Sequence, residues 1–514
     1  MKNNIKFVII QAGGLGTRLE HLTHNKPKCL VSIIGKPIIF HTFDNFKNAK
    51  FIIIADYKRD VLKKYLNIFA KDIDYQIVTS EEKGTCAGIN EALKLIPKKE
   101  SFIITWSDLL FTGKPFTTKI SINNYIGLSQ SFTCRWRFYK NYLSENKSKK
   151  NGVAGFFIFK DKNELNNLPQ NGEFVRFLKE EKLKFKPLKL INTHEVGTLE
   201  KYLKIQKNYP PVRPFNQIIK QKNIIIKKPL DQQGKKVALN EKNFYKKFEK
   251  FKYDFIPKIL KYNPLTMQRI NGDSLFLYVK LTDKNKKEIL QKIILFLNKI
   301  HQSFPPVFSN KENDYQAIIG KTFDRLNTIK NLIPNIESDF FIINQKKCLN
   351  VFKNWDLIEK TIDNFYPKKY FPIHGDLTFS NTLYNSKQNK TYIIDPRGYY
   401  GSSKIFGDID YDWAKVYYSL IGNYDQFNVK NFKLEINNEK VQLEIKSNNW
   451  ESLEDYFFEL TNSNKDKIRF FHAIIWLSLT TYTWDNIDSI LGAFYNGSYW
   501  LQNFYDKKTL QTTN

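Results

Sequence analysis

Two clusters of residues in this 514-residue chain have the types and spacing that handle phosphate. Ile9–Lys28 reads IIQAGGLGTRLEHLTHNKPK. Gly13, Gly14 and Gly16 follow an apolar run, and without a Cβ their backbone N–H groups can turn toward an anion. Arg18 and Lys28 add fixed positive charge, suited to stabilising the charge that builds during attack on an α-phosphorus. A dinucleotide-binding loop would need an acid about 20 residues past the glycines. Here that region reads SIIGKPIIF, with no acid. A Walker A loop is excluded as well, because no Gly-Lys-Ser/Thr closes the turn. The second cluster, Ile373–Gly398, reads IHGDLTFSN and, after a gap, YIIDPRG. It presents Asp376, Asn381 and Asp395, oxygen-bearing side chains on two neighbouring loops. Such a set can hold a metal on a triphosphate and take a proton from a hydroxyl.

Elements of matching kind must position both clusters. Phe7–Ile10, Phe51–Ile54, Tyr75–Val78 and Phe102–Trp106 read as short strands, with helical patterns at Val61–Phe69 and Ala87–Ile96 between them. That alternation predicts a mostly parallel, doubly wound α/β sheet with the glycine loop at a strand end. Asn151–Phe159 reads as a further strand, and Glu195–Tyr202 as a turn followed by a helix. Asn208–Pro214, NYPPVRP, holds three prolines and reads as a linker. Beyond it come a strand at Asn223–Lys228, a helix at Lys235–Phe251, a strand at Leu265–Ile270 and a turn at Asn271–Asp273. From about Leu281 onward the pattern reads as mainly helical. The expected organisation is residues 1–208, a linker at 209–214, a small lobe at 215–280 and a larger lobe at 281–514.

AGGLGTRL followed by PKCLVSIIGKPII resembles the nucleotidyltransferase family that makes nucleotide sugars and CDP-choline-type compounds. The likeness continues through GTCAGINEAL (Gly84–Leu93), TWSDLLF (Thr105–Phe111) and HEVGTLEKYLK (His194–Lys204). It implies a Rossmann-like, GT-A type domain. Ala12, Gly13, Gly14, Gly16 and Thr17 would hold the triphosphate, Gly84, Thr85 and Ala87 the nucleobase, and Arg18 and Lys28 would be catalytic. Asp108 and Glu195 would ligate Mg²⁺, with Glu195 standing where the family usually has aspartate. CTP is the expected nucleotide, with UTP, GTP and dTTP left open.

HGDLTFSN with IIDPRG resembles the choline-kinase and aminoglycoside-phosphotransferase family, which has a protein-kinase-like, two-lobed α+β fold. The likeness implies that Asp376 accepts the proton of a substrate hydroxyl. Asn381 and Asp395 would hold Mg²⁺ on the phosphates of ATP. IIIKK (Ile224–Lys228) resembles the strand that carries the ATP-binding lysine, and Glu241 its helix partner. Strand alternation allows only one of Lys227 and Lys228 to face inward, and Lys227 is favoured. Gln268–Ile270 would meet adenine. His374 is expected to brace its loop, Asp412 to be structural, and Arg397 either to contact phosphate or to pack on the loop.

Composition is compatible with both resemblances. Hydrophobic content of 42% supports packed cores, and no apolar run approaches the roughly 18 residues of a membrane span. The opening apolar run leads straight into the glycine loop, which fits a buried strand better than a cleavable leader. Cys29, Cys86, Cys134 and Cys348 show no CxxC spacing, so a reducing cytoplasm is expected and a disulfide framework is not. The net charge of +30 raises a nucleic-acid partner as a rival. The lysines come in scattered pairs, however, so solvated faces are the expected reading and no nucleic acid is expected. Together the resemblances imply ATP-dependent phosphorylation of a small alcohol, then nucleotidyl transfer onto its phosphate. The product would be an activated precursor for surface polysaccharide or lipid decoration. The rival within the same class is one active half with the other regulatory.

Overall fold

The computed structural model describes residues 5–117, 123–209 and 216–512. The chain divides into two compact units, Met1–Val212 with Trp484–Ile487, and Arg213–Thr483 with Asp488–Asn514. Asn208, the first residue of the expected linker stretch, closes the helix Leu199–Asn208. The prolines at 210, 211 and 214 lie outside the described residues.

The first unit is built on a seven-stranded sheet. In chain order its strands are β1 (Phe7–Gln11), β2 (Lys50–Ile54), β3 (Tyr75–Val78), β4 (Phe102–Trp106), β5 (Tyr125–Leu128), β6 (Val153–Phe159) and β7 (Lys186–Lys189). They lie in the order β7-β5-β6-β4-β1-β2-β3. β1 runs parallel to β2 and β4, β2 to β3, and β7 to β5. Only β6 is antiparallel to its neighbours β4 and β5. The central position of these strands has a plain mark in the sequence. Val8, Ile9, Ile10 and Phe51–Ile54 are buried, and strands covered on both faces read as unbroken apolar runs. The helix Thr85–Leu93 seals one face by packing Cys86, Ile89 and Ala92 against Ile9, Ile52 and Ile104. The glycine loop leaves the C-terminal end of β1, which lies inside the sheet between β4 and β2.

The second unit opens with an antiparallel sheet of Asn216–Lys220, Ile224–Pro229, Leu265–Gln268 and Ile259–Tyr262, in that order. Between its second and third strands in the sequence runs the helix Gln232–Phe248, capped by Asp231, whose carboxylate accepts the Gly234 N–H at 2.6 Å. Helices follow at Asp283–His301, Ile409–Leu420, Lys465–Leu479 and Ile487–Thr512. The region beyond Leu281 is mainly helical, as expected, but strands interrupt it at more places than the HGD and DPRG segments. A second four-stranded sheet runs Lys346–Leu349, Phe340–Ile343, Lys440–Ile445 and Phe432–Asn437. The turn of its first hairpin places Asn344 and Gln345 at φ 48° and 67°, the left-handed pair that closes a two-residue hairpin. A further hairpin, Thr382–Asn385 with Lys390–Ile393, holds Asn381 just before one strand and Asp395 just after the other. No described helix is long and apolar enough to cross a membrane.

Candidate functional site

In the first unit the glycine loop runs from Gly13 into the 3₁₀ turn Thr17–Thr23. A Cβ on Gly13 would collide with the Asp56 carboxylate, so the close approach of that side chain requires glycine. Gly14 has open space around it, and Thr17 and Arg18 are exposed. The Ala12 N–H is already bonded to Ile54 O at 2.8 Å, so Ala12 positions the loop from the sheet and has no free N–H for phosphate. Thr23 Oγ1 donates to Gly16 O at 3.1 Å and holds the turn shut.

The charged residues converge beside this loop. Lys28 Nζ bonds Asp108 Oδ2 at 2.7 Å, both side chains being largely buried. The strand Thr193–Glu195 pairs antiparallel with Leu109–Phe111, and Val196 N–H donates to Asp108 O at 2.8 Å. Asp108 and Glu195 therefore leave adjacent chain positions. A Cβ on Gly197 would overlap Glu195 Oε1 and lie 3.6 Å from Arg18 Nη2, which brings Arg18 to the same spot. Glu195 is paired with Lys201, a cation the sequence reading passed over although it lies inside HEVGTLEKYLK. Gly84 sits at φ 101° with Gly172 backbone pressed against it, a conformation that glycine alone adopts readily. Thr85 Oγ1 accepts the Phe174 N–H at 2.8 Å, and Ala87 is buried, so both shape the loop end of this helix. Among the described residues no three His, Cys, Asp or Glu side chains gather as a metal cage.

In the second unit, Lys227 is buried and Lys228 exposed, as alternation along a strand requires. Lys227 Nζ bonds Glu241 Oε1 at 2.5 Å and also reaches Asp395 Oδ1. Burial alone would lower the Lys227 pKa; Asp395 and Glu241 overcome that and hold it above its ordinary value. Asp395 itself is left-handed, at φ 60°. Asn381 Nδ2 donates to Asp376 O at 2.8 Å within one loop, and the Ile394 N–H donates to Asn381 O at 2.9 Å, which ties that loop to the one carrying Asp395. Asp376 Oδ1 is met by Lys415 Nζ at 2.9 Å. Lys415 lies three residues beyond Asp412 on the helix Ile409–Leu420, so both are set on the side of that helix that meets the loop. Gln268 N–H donates to Lys258 O and Arg269 N–H to Asn223 O, both at 2.8 Å. Those two donors are therefore occupied within the sheet, while Gln268, Ile270, Lys227 and Asp395 all line one cavity of about 420 Å³.

The loop is braced from beneath. The fully buried Asp412 carboxylate accepts the His374 N–H at 2.8 Å, the Gly375 N–H at 2.6 Å and His301 Nε2–H at 3.1 Å. His374 Nε2 sits 3.1 Å from Ile394 O, and burial pushes its pKa below the ordinary histidine value, which suits a neutral bracing ring. Arg397 packs on the same loop, donating to the Tyr411 and Tyr399 hydroxyls at 2.9 and 3.2 Å. Asp412→Ala leaves two buried backbone donors without an acceptor. At about 1–3 kcal/mol for each such group, we expect a stability loss of roughly 2–6 kcal/mol. Denaturant unfolding followed by tryptophan fluorescence measures it, and a loss under about 1 kcal/mol would remove Asp412 from this bracing role.

Comparison with known proteins bears on the first unit. Residues 7–124 match the family model for nucleotidyl transferase. A CTP:phosphoglutamine cytidylyltransferase of Campylobacter jejuni is 34% identical over 113 residues, 20% of this chain and 44% of that protein. An N-acetylmuramate alpha-1-phosphate uridylyltransferase of Caulobacter vibrioides is 33% identical over 106 residues, 19% of this chain and 44% of that protein. The chain thus spans less than half the length of these curated relatives. Among solved structures, the inositol-1-phosphate CTP transferase of T. maritima aligns at 16% identity and a TM-score of 0.34, covering 41% of this chain and 100% of that one. The chain carries a nucleotidyltransferase domain at its N-terminus, with a cytidylyltransferase among its relatives.

Proposed function

We propose that the chain is a bifunctional enzyme: the second unit phosphorylates a small acceptor with ATP, and the first transfers a nucleotidyl group, from CTP by preference, onto that phosphate. The observation that carries this reading is that each unit holds a full complement of charges for its step. Arg18, Lys28, Asp108 and Glu195 meet beside the glycine loop, and Lys227, Glu241, Asp376, Asn381 and Asp395 meet in the second unit. In the first unit a phosphate oxygen of the acceptor attacks the α-phosphorus of the triphosphate, the α–β bridging bond breaks, and pyrophosphate leaves. Arg18 and Lys28 stabilise the charge on the α-phosphoryl oxygens as it grows. Asp108 and Glu195 supply hard carboxylate oxygens, a donor set that fits Mg²⁺ with phosphate and water completing its shell. In the second unit the acceptor atom attacks the γ-phosphorus of ATP while Asp376 takes its proton, the β–γ bridging bond breaks, and ADP leaves. Lys227 orients the ATP phosphates, and Asn381 and Asp395 are the oxygens that would hold Mg²⁺ there. Bound Mg²⁺ would neutralise triphosphate charge in both sites.

The cytidylyltransferase named for phosphoglutamine supports CTP as donor and adds amino acids and their amides to the acceptors worth trying. The test is mass spectrometry of products formed from ATP, CTP and pooled small alcohols, amino alcohols, hydroxy acids and amino acids. A CDP-linked product that needs both nucleotides is the expected result. ATP consumption by none of a broad panel would defeat the kinase half. Transfer from UTP, GTP or dTTP in preference to CTP would defeat the nucleotide assignment.

A further inference from the structure

Asp376 opens onto a cavity of about 410 Å³ whose wall is cationic. Lys321 and Arg325 come from one face of the helix Lys321–Ile329, since residues four apart lie one above the other. Arg397 enters from the loop after Asp395, and Lys415 from the helix Ile409–Leu420. Lys415 has Asp376 as a partner. The other three have no carboxylate within ion-pair distance among the described residues. Arg325 is held by neutral groups, the Ser478 carbonyl and hydroxyl, each at 2.7 Å. Arg397 is held by two tyrosine hydroxyls. Neutral partners fix a guanidinium in place and leave its charge unanswered. Burial, then Arg397, Arg325 and Lys415, push the Lys321 ammonium pKa well below its ordinary value. The wall is short of negative charge.

The aromatic residues of the same cavity point the same way. Tyrosine faces can receive a substrate ammonium, but three of these tyrosines already carry the protein's own cations. Arg397 lies 4.6 Å from the Tyr399 ring centre, Arg325 lies 4.4 Å from Tyr482, and Lys415 lies 5.4 Å from Tyr418. A quaternary ammonium would meet repulsion where an aromatic cage would have attracted it.

We infer that the acceptor of the second unit is a carboxylate-bearing small molecule, read by Lys321, Arg325 and Arg397 while the group to be phosphorylated faces Asp376. The inference rests on the kinase reading above for the identity of the transfer step, and on the pocket alone for the charge of the ligand. Planar guanidinium groups match a carboxylate with paired N–H donors, and a half-buried cation cluster is screened less than an exposed one, so an anion gains more there.

The test uses the full chain and matched acceptors: L-serine against ethanolamine, glycerate against glycerol, and L-glutamine against choline. ATP-dependent phosphorylation is followed by mass spectrometry, and binding of the same compounds without ATP by calorimetry. The expected result is that the carboxylate-bearing member alone is used in at least one matched pair. Arg325→Gln and Lys321→Gln should each raise its KM by about 10- to 100-fold with the KM for ATP unchanged, which also shows that the variants are folded. Equal or better use of ethanolamine, glycerol or choline overturns the carboxylate inference and leaves the kinase reading standing. Carboxylate binding that Arg325→Gln abolishes, with no phosphorylated product from any compound, upholds the inference and defeats the kinase reading. Neither binding nor turnover by any member overturns both.

Discussion

Asp376→Asn should lower ATP-dependent phosphorylation by about 100- to 10,000-fold, the range that a positioned general base contributes, and leave nucleotidyl transfer onto a supplied phosphate intact. The argument is geometric. Asp376 sits on a loop fixed from three directions: by Asp412 through the His374 and Gly375 N–H groups, by Asn381 through its own carbonyl, and by Lys415 at its carboxylate. The Asn381 bond goes to the backbone and survives the substitution, so the loop keeps its place. What is lost is the acceptor for the substrate's proton. Asp376→Ala is the harsher variant, because it also strands the Lys415 ammonium, whose elevated pKa depends on Asp376. A fall of the same size in both variants assigns the effect to the missing carboxylate. An Asn variant near wild-type activity, with only the Ala variant impaired, would make Asp376 a structural partner of Lys415 instead.

How far the sequence foretold the molecule depended on the range of the interactions. β1, β2 and β4 were legible because a strand buried on both faces must be a continuous apolar run, and Val8–Ile10 or Phe102–Ile104 can be little else. Strand parity allowed only one of Lys227 and Lys228 to turn inward, and it is Lys227, the favoured one, that is buried. The antiparallel direction of β6 was not legible, since Val153–Phe159 is buried throughout and carries no mark of its orientation. The second four-stranded sheet was missed for two separate reasons. Its hairpin Phe432–Ile445 shows a period-2 pattern, with Leu434, Val441 and Leu443 buried between exposed polar residues, and that signal was present but overlooked. Its parallel pairing of Ile342–Ile343 with Lys440–Val441 joins segments about a hundred residues apart, which no local pattern encodes. The same limit applied to the sites. Each motif marked its own glycines and carboxylates, whereas Lys201, Lys321, Arg325 and Lys415 joined them only through the packing of helices.

Lys28→Ala should cut nucleotidyl transfer by about 100- to 1,000-fold, the loss typical when one donor to a developing oxyanion is removed, with ATP-dependent phosphorylation unchanged. Lys28 sits against Asp108 Oδ2 at 2.7 Å and is mostly shielded from water, so its charge acts in a medium that screens it weakly. Arg18 is different in kind: it is exposed and comes from the loop turn, within reach of Gly197 and Glu195. Under the proposed function its partner is the triphosphate, to which an exposed guanidinium is open. Arg18→Ala should therefore act on transfer with little effect on the thermal midpoint, while Lys28→Ala, which leaves Asp108 without its ion-pair partner, should lower both. Steady-state kinetics with CTP and a supplied acceptor phosphate, set beside a melting curve for each variant, separates the two. If either substitution also silences the phosphorylation step, the two sites are not separable, and the division of labour between the units falls with it.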